Sequence, residues 1–291
     1  MISRILSLPR RLARRVVAPI REARATAARH AARRAFSVTP QDLRDALGRL
    51  VATPGEALMV HSSLSTCGHF TEGPADIIAA LRDTCGTLCL PTHSYTYPLQ
   101  IGERAPLFDA AVTPSKNGAL TEFFRKQPGV LRSIHSTHSL AAAGPLAGMM
   151  TGDHHGHDSP TGFGTPYSRL VHRRSAALMF GVHFHYYTFF HTAEFEAGSP
   201  HAFQQGVTDR LYVVDEAGSP RECLSRRQNW APMRFQEAGD FLERIGLVKR
   251  AALGRGALLY VPDALKVHEL LLDRLRKFPD FLRQSCAEPL Q

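Results

Sequence analysis

Residues 57–63 read Ala-Leu-Met-Val-His-Ser-Ser, and residues 87–91 read Thr-Leu-Cys-Leu-Pro. Each is a short apolar run that stops at polar or proline residues, the pattern of a strand buried on both faces. The stretch Gly73–Cys85 between them reads as a helix. Two strands joined by a helical crossover of this length favour a parallel pair. The unit therefore predicts an α/β fold with a mixed, partly parallel sheet flanked by helices.

Upstream, Thr39-Pro-Gln-Asp supplies a cap, a proline at the first helical position and an acid in the first turn, predicting a helix to about Leu50. Downstream, residues 93–118 read as irregular and Ala119–Lys126 as helical. Val130–Ala143 reads as a strand carrying His135 and His138. Glycines and prolines punctuate Met150–Tyr167 as loop. Strands are expected at Ala176–Val182, Asp209–Val214 and Ala257–Val261, with helices at Thr188–Ala197, Phe235–Ile245 and Asp263–Lys277. No internal repeat and no linker follows residue 38, so 39–291 is expected to form a single domain.

With 44% hydrophobic residues in 291, the chain can build a core, which excludes disorder as its main state. No run approaches the roughly 20 apolar residues of a membrane-spanning helix. The formal net charge is +9. Residues 1–36 hold ten arginines against one acid, Glu22, a surplus equal to that of the whole chain. The remaining body is balanced, so nucleic acid is not an expected partner. Residues 1–38 are set apart as a basic amphipathic extension. Ile2, Ile5, Leu12, Val16 and Ile20 fall on one side of a helical wheel and Arg10, Arg14, Arg21 and Arg24 on the other, with Pro9 and Pro19 interrupting it. Peripheral membrane contact through 1–36, an organelle presequence, a docking arm and a solvated extension all fit that pattern. Five cysteines without paired metal spacing suggest reduced thiols and a cytoplasmic setting. Cys85 and Cys89 read as buried; Cys67, placed in a loop, is a candidate nucleophile.

Three clusters could carry chemistry. Asp153-His-His-Gly-His-Asp158 is dense in metal-ligand types, yet structural zinc sites use spaced pairs and adjacent histidines diverge on an extended chain. A polar loop whose side chains hydrate or cap neighbouring elements is the favoured reading, and no metal is expected. His191 and Glu194 are three residues apart, which on a helix lets the carboxylate meet the imidazole, fix its tautomer and stabilise its charged form. His135 and His138 would face opposite sides of a strand, so one of the two is expected to reach a given site.

Seven segments in order resemble the aminoglycoside 3-N-acetyltransferase family (the antibiotic N-acetyltransferases). They are His61-Ser62-Ser63-Leu64, Leu90-Pro91-Thr92, the Pro-Ser-Lys-Asn-Gly-Ala-Leu of 114–120, the Arg-Ser-Ile-His-Ser-Thr-His-Ser of 132–139, the Asp-Ser-Pro-Thr-Gly-Phe-Gly of 158–164, the Leu-Met-Phe-Gly-Val of 178–182, and His191-Thr-Ala-Glu194. The resemblance covers about residues 40–275. It implies an α/β fold distinct from the commoner Gcn5-type acetyltransferase fold, whose R-x-x-G-x-[GA] turn is missing here. It implies acetyl transfer from acetyl-CoA to a small-molecule primary amine, with His191 as general base and Glu194 beside it. Ser62, Ser63, Leu64, Lys116, Arg132, His135, His138 and Ser139 are the implied cofactor contacts, with Lys116 and Arg132 as phosphate partners. His61, Thr92, Asp158 and Phe163 are the implied acceptor contacts. Backbone N–H groups at 62–64 are expected to meet the developing oxyanion. A homodimer is a further open expectation.

The acceptor is less well defined. A polycationic aminoglycoside calls for several acids, and the candidates are Glu72, Asp109, Glu196 and Asp209. The aromatic run at 183–190 suits stacking on a sugar, and Arg221, Arg226 and Arg227 around Trp230 suit a carboxylate or phosphate, as in a nucleotide-linked amino sugar. A glycan or natural-product acyltransferase, a His-rich metal-dependent hydrolase and a membrane-surface adaptor without turnover are the alternatives.

Overall fold

Within the first predicted strand the side chains alternate between two cores. Ala57 and Met59 join one apolar cluster with Tyr167, Leu170, Phe190 and Leu271. Leu58 and Val60 join another with Leu43, Leu47, Ile77 and Leu81. A strand covered on both faces has no polar side, and this is why its sequence is a continuous apolar run. The structure, a computed structural model, describes residues 36–286.

The central sheet has seven strands in the order Lys249–Leu253, Gly256–Val261, Ala176–Phe180, Gly55–Ser62, Cys85–Pro91, Leu140–Ala143 and Leu131–Arg132. The three middle strands are parallel, with Leu58 opposite Leu88 on one side and Ala176 on the other. The outer pairings are antiparallel. Helices Pro40–Leu50 and Pro74–Arg82 cover one face. Helices Pro166–His172, Phe189–Glu196, Phe235–Arg244 and Ala264–Lys277 cover the other. The mixed, partly parallel sheet flanked by helices is the predicted fold class, and Thr39 forms the expected capping box with Asp42.

Other details differ from expectation. The stretch 130–143 is two short antiparallel strands joined by a turn over 133–139, because Ser136, Thr137 and His138 bend the chain back. Residues 93–118 contain a strand, Arg104–Phe108, which joins a three-stranded sheet with Phe203–Val214 and Pro220–Gln228. Helix Pro166–His172 and strand Lys249–Leu253 were not anticipated. Cys67 ends a short helix, Leu64–Cys67, where burial pushes its thiol up to about 11, unlike a loop nucleophile. Val38, on the extension side of the expected boundary, is fully buried. The expectations for residues 1–35 lie outside the described residues, among which no helix is long and apolar enough to cross a membrane.

Gly181 ends the strand Ala176–Phe180 with φ 66°. Its carbonyl accepts from Thr66 Oγ1, and a Cβ there would lie 2.3 Å from that oxygen and 2.6 Å from the Ser63 carbonyl. Only glycine brings these two strand ends so close. Gly181→Ala is expected to destabilise the chain by about 2 kcal/mol and lower Tm by about 4–8 °C. A thermal melt within about 1 °C of the native chain would contradict this packing.

Candidate active site

The carboxyl ends of the three parallel strands open into one cavity of about 810 Å³, the usual place for ligands in an open α/β sheet. His61, Ser62 and Ser63 reach it from Gly55–Ser62, Pro91 and His93 from Cys85–Pro91, and Gly181 to His183 from Ala176–Phe180. Lys116 to Leu120, Tyr186, His191, Trp230 and Phe235 complete the wall.

His191 sits in helix Phe189–Glu196, its ring packed edge-on against Phe235 with centroids 4.9 Å apart. Glu194, one helical turn on, accepts from Nδ1 at 3.1 Å. That leaves Nε2 for the cavity. Glu194 is fully buried, and an ionised carboxylate there needs a charged partner. Arg283 provides it, with Nε 2.7 Å from Oε1 and an NH2 donating to Oε2 at 2.9 Å. Its guanidinium also donates to the carbonyls of Asn229, Ala231 and His201. Arg283 is 89 residues from Glu194, and nothing in the local sequence marked it.

Around this dyad lies a set of buried imidazoles. His93 Nε2 lies 2.7 Å from Tyr167 Oη, which donates to the His138 carbonyl at 3.1 Å. Tyr167 therefore accepts from His93, and Tyr95, 3.1 Å from Nδ1, donates to it. Burial pushes His61, His138 and His154 down to about 3, with His191 adding to the effect at His138. His93 and His135 are held well below the ordinary range by the same burial. These rings are neutral hydrogen-bonding groups, so they place no positive charge in the cavity.

The structure brings together His61, Ser62, Ser63, Leu64, Lys116, His138 and His191 on one wall. It does not bring Arg132, Thr92, Ser139 or His135 there. Arg132 donates to Thr92 Oγ1, Ser139 Oγ and the carbonyls of Thr92, Ala110 and Thr113, which ties three segments and leaves no nitrogen for phosphate. His135 packs against His154, the tilted rings 4.5 Å apart between centroids. One histidine of the pair does reach the cavity, because of the turn between them rather than strand alternation. Asp158 is exposed beside Arg226, and Phe163 packs on Phe195, both away from the cavity wall.

The 153–158 run does not gather as a ligand set. His154 bonds Ser133 Oγ and the Pro160 carbonyl. Among the described residues, three ligand atoms do lie within 4.8 Å of one another in His172, Glu196 and His268. There the two histidines sit 2.8 and 2.9 Å from one Glu196 oxygen, while Ser168 donates to the other.

Residues 59–270 match the model of the aminoglycoside 3-N-acetyltransferase family. Aminoglycoside N(3)-acetyltransferase VII of Streptomyces paromomycinus is 34% identical over 163 residues, covering 50% of this chain and 56% of that relative's own length. The solved structure of AAC-IIIb as a binary complex with CoASH superposes with a TM-score of 0.72 at 26% identity, covering 86% of this chain and 99% of that one. A mutant of acetyltransferase AAC(3)-IVa in complex with a gentamicin also gives 0.72, at 25% identity, over 85% of this chain and 92% of that one.

The buried histidines set a pH limit. A ring whose folded pKa lies below its unfolded value binds its proton more weakly in the fold, so stability rises with pH between the two values. The stability of the neutral cluster is thus fully present above pH 6.5 and is lost as pH falls toward about 3. Each such ring contributes about 1.4 kcal/mol per pH unit within that window. Thermal melts from pH 8 to 4 are expected to be flat above 6.5 and to drop steeply below it; a flat profile down to pH 4.5 would contradict the neutral assignment.

Proposed function

The chain belongs to the aminoglycoside 3-N-acetyltransferase family, and we propose that it is an acetyl-CoA-dependent N-acetyltransferase in which His191 is the general base. The observation that carries this reading is the Arg283–Glu194–His191 chain, which leaves one imidazole nitrogen for a cavity of about 810 Å³. The CoASH complex of the related AAC-IIIb supports the cofactor class.

A primary amine with a pKa near ~10.4 is protonated at neutral pH, and only its neutral form attacks a thioester. The ammonium first loses one proton to solvent, and His191 Nε2 takes a second from the attacking nitrogen as the C–N bond forms. The bound Glu194 carboxylate then stabilises the imidazolium through Nδ1. Arg283 holds Glu194 in place, so the ring does not turn away. The thioester oxygen gains negative charge and needs donors. The Ser63 N–H, expected for that role, already donates to the Phe180 carbonyl at 2.8 Å. The first amides of helix Leu64–Cys67 lack an intrahelical acceptor, and Leu64 and Ser65 both line the cavity. These amides take the oxyanion role. As the intermediate collapses, the CoA thiolate leaves and receives the proton from His191.

Ser62, Ser63, Leu64 and His138 form the wall for the pantetheine arm, and Lys116, exposed at the rim, meets a CoA phosphate. The acceptor amine enters beside His191, between Tyr186 and Trp230. Relatives of this chain include one in complex with a gentamicin, and an amine on a sugar-like scaffold is the acceptor class proposed here.

His191→Ala is expected to fold with a near-native melt and to lose at least about a hundredfold in kcat/KM, within the ~10²–10⁴ range for a positioned base. Thiol release from acetyl-CoA measures it. Native turnover in the folded variant would remove His191 from this role.

A further inference from the structure

Among the described residues, the cavity wall holds no aspartate or glutamate, and apart from histidines its charged side chain is Lys116. The acids that a polycationic acceptor would need are engaged elsewhere. Asp209, 3% exposed, is clamped by Arg227, whose Nε lies 2.9 and 3.1 Å from its two oxygens. Glu196 is held by His172, His268 and Ser168. Asp109 accepts from the Ala111 N–H, and Glu72 lies outside the wall. Glu194 is sealed beneath His191 with Arg283.

The arginines expected to recognise an anionic acceptor are also absent from the wall. Arg227 is neutralised by Asp209, and Arg226 stacks over Phe203 at 4.0 Å. The wall presents instead the rings of Tyr95, Tyr186 and Trp230. It also presents three buried polar atoms without hydrogen-bond partners, His61 Nε2, Asn117 Oδ1 and Tyr187 Oη. His61 is 4% exposed, so its unpartnered nitrogen has no bulk water to satisfy it. Rings that stack on a sugar face and neutral atoms that pair with hydroxyls are complementary to an uncharged, hydroxyl-rich ligand.

We propose that the acceptor is a polyhydroxylated monoamine, an amino sugar with one basic nitrogen, rather than a polycation. This rests on the acetyl-transfer reading. The reacting amine loses its ammonium proton to solvent before attack and a second proton to His191 during it, and so brings no lasting charge into the cavity. Every further ammonium would be stripped of water against phenols, neutral imidazoles and Lys116, with no carboxylate to meet it. The amide nitrogen formed is neutral, and the transferred proton ends on the CoA thiol.

The test is thiol release with acetyl-CoA and two acceptors, the monoamine glucosamine and the polyamine gentamicin, alongside calorimetric binding of acetyl-CoA alone. The expected kcat/KM for glucosamine exceeds that for gentamicin at least tenfold. Tyr186→Asp, which sets a carboxylate in the wall, is expected to narrow that ratio at least fivefold by lowering KM for gentamicin. Equal or faster turnover of gentamicin by the native chain overturns the inference. Acetyl-CoA binding with turnover of neither acceptor overturns it too, while leaving the cofactor reading standing. No binding of acetyl-CoA overturns the acetyl-transfer reading itself, and this inference with it.

Discussion

A carboxylate buried to zero exposure needs a positive partner, and Glu194 has one in Arg283. The ion pair joins helix Phe189–Glu196, the 229–231 loop and the C-terminal segment, since the same guanidinium donates to carbonyls in each neighbouring stretch. With the carboxylate pinned, His191 has a fixed partner at Nδ1 and a fixed direction for Nε2. The geometry at His191 therefore depends on a residue outside the cavity wall.

The second constraint is the sheet. Three parallel strands end side by side, and Gly181 lets the 62–66 turn lie against the end of the Ala176–Phe180 strand. This brings Leu64, Ser65 and Thr66 into the lining of the same cavity as His191. The neutral histidines His61, His93 and His138 in that wall add no positive charge to it. A site built from uncharged hydrogen-bonding groups favours proton transfer to one base over capture of cations, which links the mechanism to the acceptor proposed above.

The central fold was legible because a doubly covered parallel strand must be apolar throughout, as residues 57–60 and 88–90 are. His191 and Glu194 were legible because helical spacing alone brings them together. Within the hairpin 203–228 only the stretch 209–214 was legible as a strand; Arg104–Phe108, interrupted by Pro106, and the charge-rich Pro220–Gln228 were not. The break at 133–139 was hidden by the apolar residues on either side of a turn rich in serine and histidine. Arg132 lies in a motif that suggested phosphate binding, but burial among carbonyls gave it a structural role instead. Arg283 was silent, because long-range charge pairing leaves no mark on nearby sequence.

At the centre stands the proposal that Arg283 and Glu194 orient His191 with Nδ1–H donating to the carboxylate and Nε2 facing the cavity. Nitrogen-15 NMR of the histidine rings at pH 8 reads that tautomer directly, with His191→Gln identifying the resonance. The account predicts a protonated Nδ1 and an unprotonated Nε2 for His191. A ring protonated on Nε2 would place the proton where the base must be empty and would contradict it.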